Sequence, residues 1–165
     1  MNNISSATDP PRSRTRPLWR CPKCSRPFAN RNQEHSCGKY TVEEFLSGKG
    51  PEAESLYRAF EKLVFSLGPI LLAPAKTRVG FQARMIFAAV NQLTRSKLDA
   101  HVVLARALSC PRFTKIENVS PRNHVHHFTI RDVRELDHEV TAWLREAYQV
   151  GLQQHPSRKK SSKTK

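Results

Sequence analysis

The chain has 165 residues, 38% of them hydrophobic, and a formal net charge of +14, which suits one ordinary domain with a small appendage. No stretch approaches the roughly 20 apolar residues of a membrane span, and the N-terminus carries no apolar signal-peptide core. A membrane-spanning helix is therefore not expected and a cytoplasmic location is, where close-spaced cysteines read as metal ligands rather than disulfides.

The charge is unevenly spread. Residues 1–37 hold seven Lys or Arg against two acids, and residues 155–165 hold five against none, so most of the excess lies at the two ends. Within the middle, residues 76–131 contain ten basic and two acidic residues. Residues 1–17 are rich in Ser, Pro and Arg and bury too little to order themselves, so a disordered basic arm is expected, with a similar tail over 155–165.

The segment 18–39 reads as a zinc-ribbon-like module. Cys21, Cys24, His35 and Cys37 have the spacing Cys-x2-Cys-x10-His-x-Cys. Cys-Pro-Lys-Cys sets two thiolates on one knuckle, and ten residues let the chain return with His35 and Cys37. Zinc favours four tetrahedral thiolate and imidazole ligands, and a full set with no open position is structural rather than catalytic. One structural Zn²⁺ is the expected cofactor; an iron–sulfur site and a chance grouping are the alternatives. Arg20, Lys23, Arg26 and Arg31 would offset the thiolate charge, and Trp19 and Phe28 would form a miniature core. Cys110 is left over as an ordinary buried thiol.

Residues 40–154 read as an α+β domain. Thr41-Val42-Glu43-Glu44 matches a capping box and starts a short helix that stops at Gly48. Gly50-Pro51 opens a longer helix with Ala53, Leu56, Tyr57, Phe60, Leu63, Val64 and Leu67 on one face, ended by Gly68-Pro69. Strands are expected at Thr77–Ala83, Arg84–Gln92, Leu98–Ala107 and Asn123–Ile130, the first two separate or fused into one bent strand, with a loop over 112–122. A last helix from about Asp137 to Gln153 carries the stripe Val140, Trp143, Leu144, Ala147, Tyr148. The expected architecture is an antiparallel sheet of three to four strands flanked by N- and C-terminal helices.

Two arrangements bear on function. In Asn123-His124-Val125-His126-His127-Phe128, alternation sets His124 and His126 on one face and His127 on the other. The same-face pair His124 and His126, joined by His101 and Asp99 from another strand, are the candidates for a second metal and an enzymatic role. Metal-dependent nucleases need clustered carboxylates, whereas residues 76–131 offer only Asp99 and Glu117, and no phosphate loop or nucleophile motif is present, so the sequence makes no positive case for catalysis. The second arrangement is basic. Arg78, Gln82 and Arg84 alternate against Val79, Phe81, Ala83 and Met85, and Lys97, Asp99 and His101 alternate likewise. If these share a face, the sheet presents a basic surface opposite acid-bearing helices.

Leu56-Tyr57, Lys76-Thr77-Arg78-Val79-Gly80-Phe81, Phe87-Ala88-Ala89-Val90, Leu98–Leu104, His124–Ile130, Leu136–Val140 and Trp143–Tyr148 resemble a bacterial family known only as a domain of unknown function (DUF5655), over roughly residues 53–150. Some members carry a segment similar to Trp19–Gly38, which supports treating the four ligands as one unit. The sheet with its histidine-bearing strand and Ala-Tyr helix is also distantly similar to the MmcQ/YjbR-like fold, associated with proposed DNA-binding proteins. The resemblance implies a fold and no activity.

The expected function is a non-enzymatic zinc-binding accessory protein that binds nucleic acid, DNA or RNA, weakly to moderately. The arms, the module residues Arg20, Lys23, Arg26 and Arg31, and the sheet residues Arg78 and Arg84 would make the contacts. A protein-interaction adaptor, docking on a protein partner through the zinc module, is the alternative from another class.

Overall fold

A computed structural model describes residues 15–154; residues 1–14 of the arm expected over 1–17, and the tail over 155–165, lie outside them. The chain opens with a two-stranded ribbon, β1 (Trp19–Arg20) and β2 (Pro27–Phe28). Two helices follow, α1 (Val42–Leu46) and α2 (Pro51–Phe65). Then come six strands, β3 (Leu71–Pro74), β4 (Val79–Gln82), β5 (Ile86–Leu93), β6 (Leu98–Leu104), β7 (Phe113–Ser120) and β8 (Asn123–Ile130). A 3-10 turn at Val133–Glu135 leads into α3 (His138–Gly151).

The helices start where the sequence signals them. Thr41 caps α1 by accepting from the Glu44 N–H, while the Glu44 carboxylate accepts from the Thr41 N–H at 2.7 Å, which completes the capping box. Gly50, at φ 94, turns the chain into Pro51, the first residue of α2. Asp137 caps α3 by accepting from the Glu139 and Val140 N–H groups.

The sheet is antiparallel with strand order β3-β4-β5-β6-β8-β7, six strands where three to four were expected. The expected strands at 77–83, 84–92, 98–107 and 123–130 correspond to β4, β5, β6 and β8, and the first two are separate strands of one hairpin. The added strands are the two edges. β3 is four residues long and ends in Pro74, which an edge tolerates because it need not donate. β7 replaces the expected loop; Lys115, Glu117 and Asn118 give it the charged, polar character of an exposed edge.

Strand register separates two faces. Val79, Val90, Ala100 and Phe128 align across β4, β5, β6 and β8 and are buried. The neighbouring row Gly80, Ala89, His101, His127 and Lys115 points the other way. Both long helices cover the first face. From α2, Phe60 packs on Phe81 and Phe128, with ring centroids 5.7 and 6.4 Å away. From α3, Trp143 packs on Phe113 and Phe128 at 4.3 and 5.5 Å. The predicted stripes of both helices form this core.

The second face carries the polar side chains, and the ribbon module docks at its β3–β4 end. Residues 38–50 lead the chain from that module to α2 on the opposite face, so α1 lies at one end of the sheet, with Phe45 5.9 Å from Tyr57. No helix among the described residues is long and apolar enough to cross a membrane.

The C-terminus of α3 closes against the β4–β5 turn, where the Gly151 carbonyl accepts from the Arg84 and Met85 N–H groups at 3.0 Å. A Cβ on Gly151 would stand 2.8 Å from Phe87 Cβ, next to backbone that cannot yield. Gly151→Ala is expected to destabilise the domain by about 1–3 kcal/mol, read as a lower urea midpoint with an unchanged m-value.

Candidate metal centre

Between β1 and β2, Cys-Pro-Lys-Cys makes a tight knuckle. The Ser25 N–H donates to the Cys21 carbonyl at 2.8 Å, and the Cys21 N–H to the Arg26 carbonyl at 3.0 Å. Ser25 takes φ 61, and Cys37, on the returning segment, φ 51. A left-handed backbone at a non-glycine residue carries strain; at Cys37 it turns the thiol toward the knuckle.

Cys21, Cys24, His35 and Cys37 are positioned to hold a metal ion: their four ligand atoms all lie within 4.8 Å of one another. Cys21 Sγ and Cys37 Sγ are 3.8 Å apart, and Cys24 Sγ is 3.3 Å from His35 Nε2. Zn–S bonds of about 2.3 Å at tetrahedral angles give an S···S edge of about 3.8 Å, whereas a disulfide would bring the sulfurs to about 2.0 Å. His35 Nδ1 lies 2.7 Å from the Gln33 carbonyl. A carbonyl only accepts, so Nδ1 carries the proton and Nε2 presents its lone pair to the sulfurs, the tautomer a metal needs. The donor set and its edges therefore fit zinc.

The thiols are electrostatically unequal. N–H groups of the knuckle, that of Cys24 first, hold the Cys21 thiol down to about 6. Burial, reinforced by the neighbouring thiolates, pushes Cys37 up to about 11. Thiolates crowded this closely repel one another unless a cation sits among them. Phe28, 1% exposed, is the module's core residue and lies 4.5 Å from the His35 ring and 6.0 Å from Trp19.

Two side-chain bonds dock the module on the sheet. Gln82, buried on β4, donates to the Pro27 carbonyl at 2.5 Å, and Ser36 Oγ donates to the Pro74 carbonyl at 2.7 Å. Gln82 was expected on an open polar face; it lies beneath the module.

The basic residues singled out in the sequence divide into two groups. Arg20, Lys23, Arg31 and Arg78 are exposed. Arg26 and Arg84 are engaged inside the structure. The Arg26 guanidinium lies 4.6 Å above the Phe28 ring, and burial lowers its pKa against the pull of the three thiolates. Arg84 donates to Gln153 Oε1 at 3.0 Å and to the Arg16 carbonyl.

The grouping of His101 with His124 and His126 is corrected. His126 is fully buried on the helix-covered face; its Nε2 accepts from the Leu108 N–H at 2.9 Å and its Nδ1 donates to the His124 carbonyl at 2.9 Å, so neither nitrogen is free for a metal. His101 pairs in register with His127, on the opposite face, their ring centroids 5.5 Å apart. His127 Nε2 lies 2.8 Å from Glu117, and Asn91 bonds His101 at 2.9 Å. The alternation of His124 and His126 against His127 holds; His126 shares its face with Phe128 and Ile130, a local sign that it points to the core, while the pairing of His101 with His127 itself requires the β6–β8 register. The four-ligand cluster is the one group of three or more metal-ligating side chains found among the described residues. Cys110 is half-buried, its thiol 3.6 Å from Glu139.

An α+β sheet with its helices on one face and a Cys3His module on the other defines the class of protein. The chain belongs to the family described as a domain of unknown function (DUF5655), whose model matches residues 42–151 and so covers the α+β domain without the metal module. No curated protein and no solved structure matches the chain, so the MmcQ/YjbR-like likeness gains no support there.

Two predictions arise. Metal analysis should find one zinc ion per chain, reduced at least tenfold in Cys24→Ser, and chelation should unfold residues 18–39 while the amide spectrum of residues 42–151 persists. The second concerns His101, whose pKa burial lowers to about 4 from an ordinary 6.5. Between those values the unfolded chain binds a proton that the folded chain refuses, so stability falls as pH drops from about 6.5 to 4. His101→Asn should flatten that slope, by an amount on the order of 2–3 kcal/mol, measured by urea unfolding at each pH.

Proposed function

We propose that the protein is a non-enzymatic zinc-binding accessory protein that binds DNA or RNA across one basic face. The observation that carries this reading is the docking of the metal module through Gln82 and Ser36 onto the sheet face that also bears Arg78. Arg20, Lys23 and Arg31 from the module and Arg78 from the sheet then stand on the side away from the long helices. Of the fourteen acids, ten lie in α1, α2 and residues 132–151. The two on the sheet are neutralised locally: Asp99 pairs with Lys97 at 2.6 Å, and Glu117 with Lys115 at 2.8 Å. Phosphates approaching this face meet unpaired cations and no unpaired sheet carboxylate.

Zinc contributes by fixing the loop that presents Lys23 and Arg31, and the basic ends add sequence-independent attachment. Arg26 and Arg84 act indirectly: one supports the module core and the other ties the chain ends to the β4–β5 turn.

A salt titration with duplex DNA, single-stranded DNA and RNA tests this reading. The full chain is compared with a chain trimmed to residues 18–154 and with Arg20→Glu/Arg31→Glu/Arg78→Glu. The trimmed chain should still bind at moderate salt and prefer one nucleic acid, and the triple variant should lose at least tenfold in affinity and lower the salt slope. Binding that vanishes with the ends, or that survives the triple substitution unchanged, contradicts the reading and favours a protein-docking adaptor.

A further inference from the structure

A cleft of about 650 Å³ opens at the end of the sheet where residues 44–49 face the β3–β4 turn. Its size is within the roughly 300–1,000 Å³ of small-molecule sites. The floor is polar sheet surface from the ends of β5, β6 and β8, and the walls are α1 with the loop after it and the turn at Lys76-Thr77.

Three features define what this cleft accepts. Lys49 and Lys76 stand on its walls, and neither is in an ion pair among the described residues. Both carboxylates in the lining are already committed: Glu44 closes the α1 capping box, and Asp99 accepts from Lys97 and from Thr129, each at 2.6 Å. The lining is therefore cationic toward an incoming group. The half-exposed His127 imidazole on the floor gives a flat ring something to lie against, whereas Phe45 and Phe128, which also border the cleft, are buried in the core. Asn91 adds an amide, whose donors and acceptors exceed its one partner, His101. His127 is held by Glu117 through Nε2, which leaves its Nδ1 uncommitted.

We propose that this cleft binds a nucleotide, with the phosphate between Lys49 and Lys76, the base against the His127 ring, and the base edge read by Asn91. Lysine supplies a point charge that phosphate accepts without demanding bidentate geometry. The nucleotide is either free in solution or an unpaired residue of a bound strand. The site is separate from the exposed arginines of the metal module, and its occupancy does not depend on them.

The test uses the full zinc-loaded chain, followed by amide and imidazole NMR. It is titrated in turn with nucleoside 5′-monophosphates, a short single-stranded oligonucleotide and inorganic phosphate. Saturable shifts at the Asn91 side-chain amide and the His127 ring are expected with a nucleotide, and much weaker ones with phosphate alone. Lys49→Glu/Lys76→Glu should weaken binding at least tenfold, and Lys62→Glu, an exposed lysine of α2, should leave it unchanged. Shifts with the monophosphates assign a free nucleotide; shifts with the oligonucleotide alone assign a residue of a strand. If neither ligand moves Asn91 and His127, or if the double variant binds as tightly as the parent chain, the inference is wrong. An oligonucleotide that binds the metal module while neither it nor the monophosphates perturb the cleft overturns this inference alone, while monophosphate binding without any strand binding overturns the nucleic-acid reading alone.

Discussion

Three thiols and an imidazole held within 4.8 Å of one another set the terms for the N-terminal module. A segment of about twenty residues does not bury enough surface to fold alone, and here Phe28 is its one large fully buried side chain. Backbone N–H groups hold the Cys21 thiol low and burial pushes that of Cys37 high, and thiolates this close repel one another. A divalent cation bound among them would convert that repulsion into the module's main source of order. Everything attached depends on it: the Pro27 carbonyl that receives Gln82, the Ser36 hydroxyl that reaches Pro74, and the positions of Lys23 and Arg31.

The sheet supplies the second constraint. Its two faces have opposite chemistry because side chains alternate along each strand. One face is closed by α2 and α3 around Phe60, Phe81, Phe128 and Trp143. The other bears the histidine pair, the internally matched carboxylates and the metal module. The domain thus places most of its acids on the helical side and leaves cations on the side that the module extends. The burial of His126 shows how completely the helical side is sealed, since both of its nitrogens are used within the protein.

Much of this was legible from local pattern. The four ligands announce themselves by spacing, and the three helices by caps and stripes. Thr41, Pro51 and Asp137 each stand where the corresponding helix begins. Of the four inner strands, β6 and β8 alternate in burial while β4 and β5 are continuous buried runs, and both patterns read as strand. The two edge strands were missed for physical reasons: β3 is short and proline-ended, and β7 is mostly exposed, so neither carries the apolar rhythm by which a strand is recognised. Long-range geometry was also hidden. The apolar alternation around each separates His101, which alternates against Ala100 and Val102, from His126, which shares a face with Phe128 and Ile130; which histidine sits opposite His101 is fixed only by the pairing of two distant strands. Nor does local sequence reveal that Gln82 and Arg26 meet other parts of the chain rather than solvent.

The central claim is that metal coordination joins the module and the sheet into a single basic face that nucleic acid contacts. Amide chemical-shift mapping of the zinc-loaded chain with a nucleic-acid ligand tests it most directly. The account predicts that the perturbed amides cluster in residues 20–31 and around Arg78, with α2 and α3 silent, and that chelation abolishes the pattern. Perturbations confined to the chain ends or to the helices, or a pattern indifferent to chelation, would contradict it.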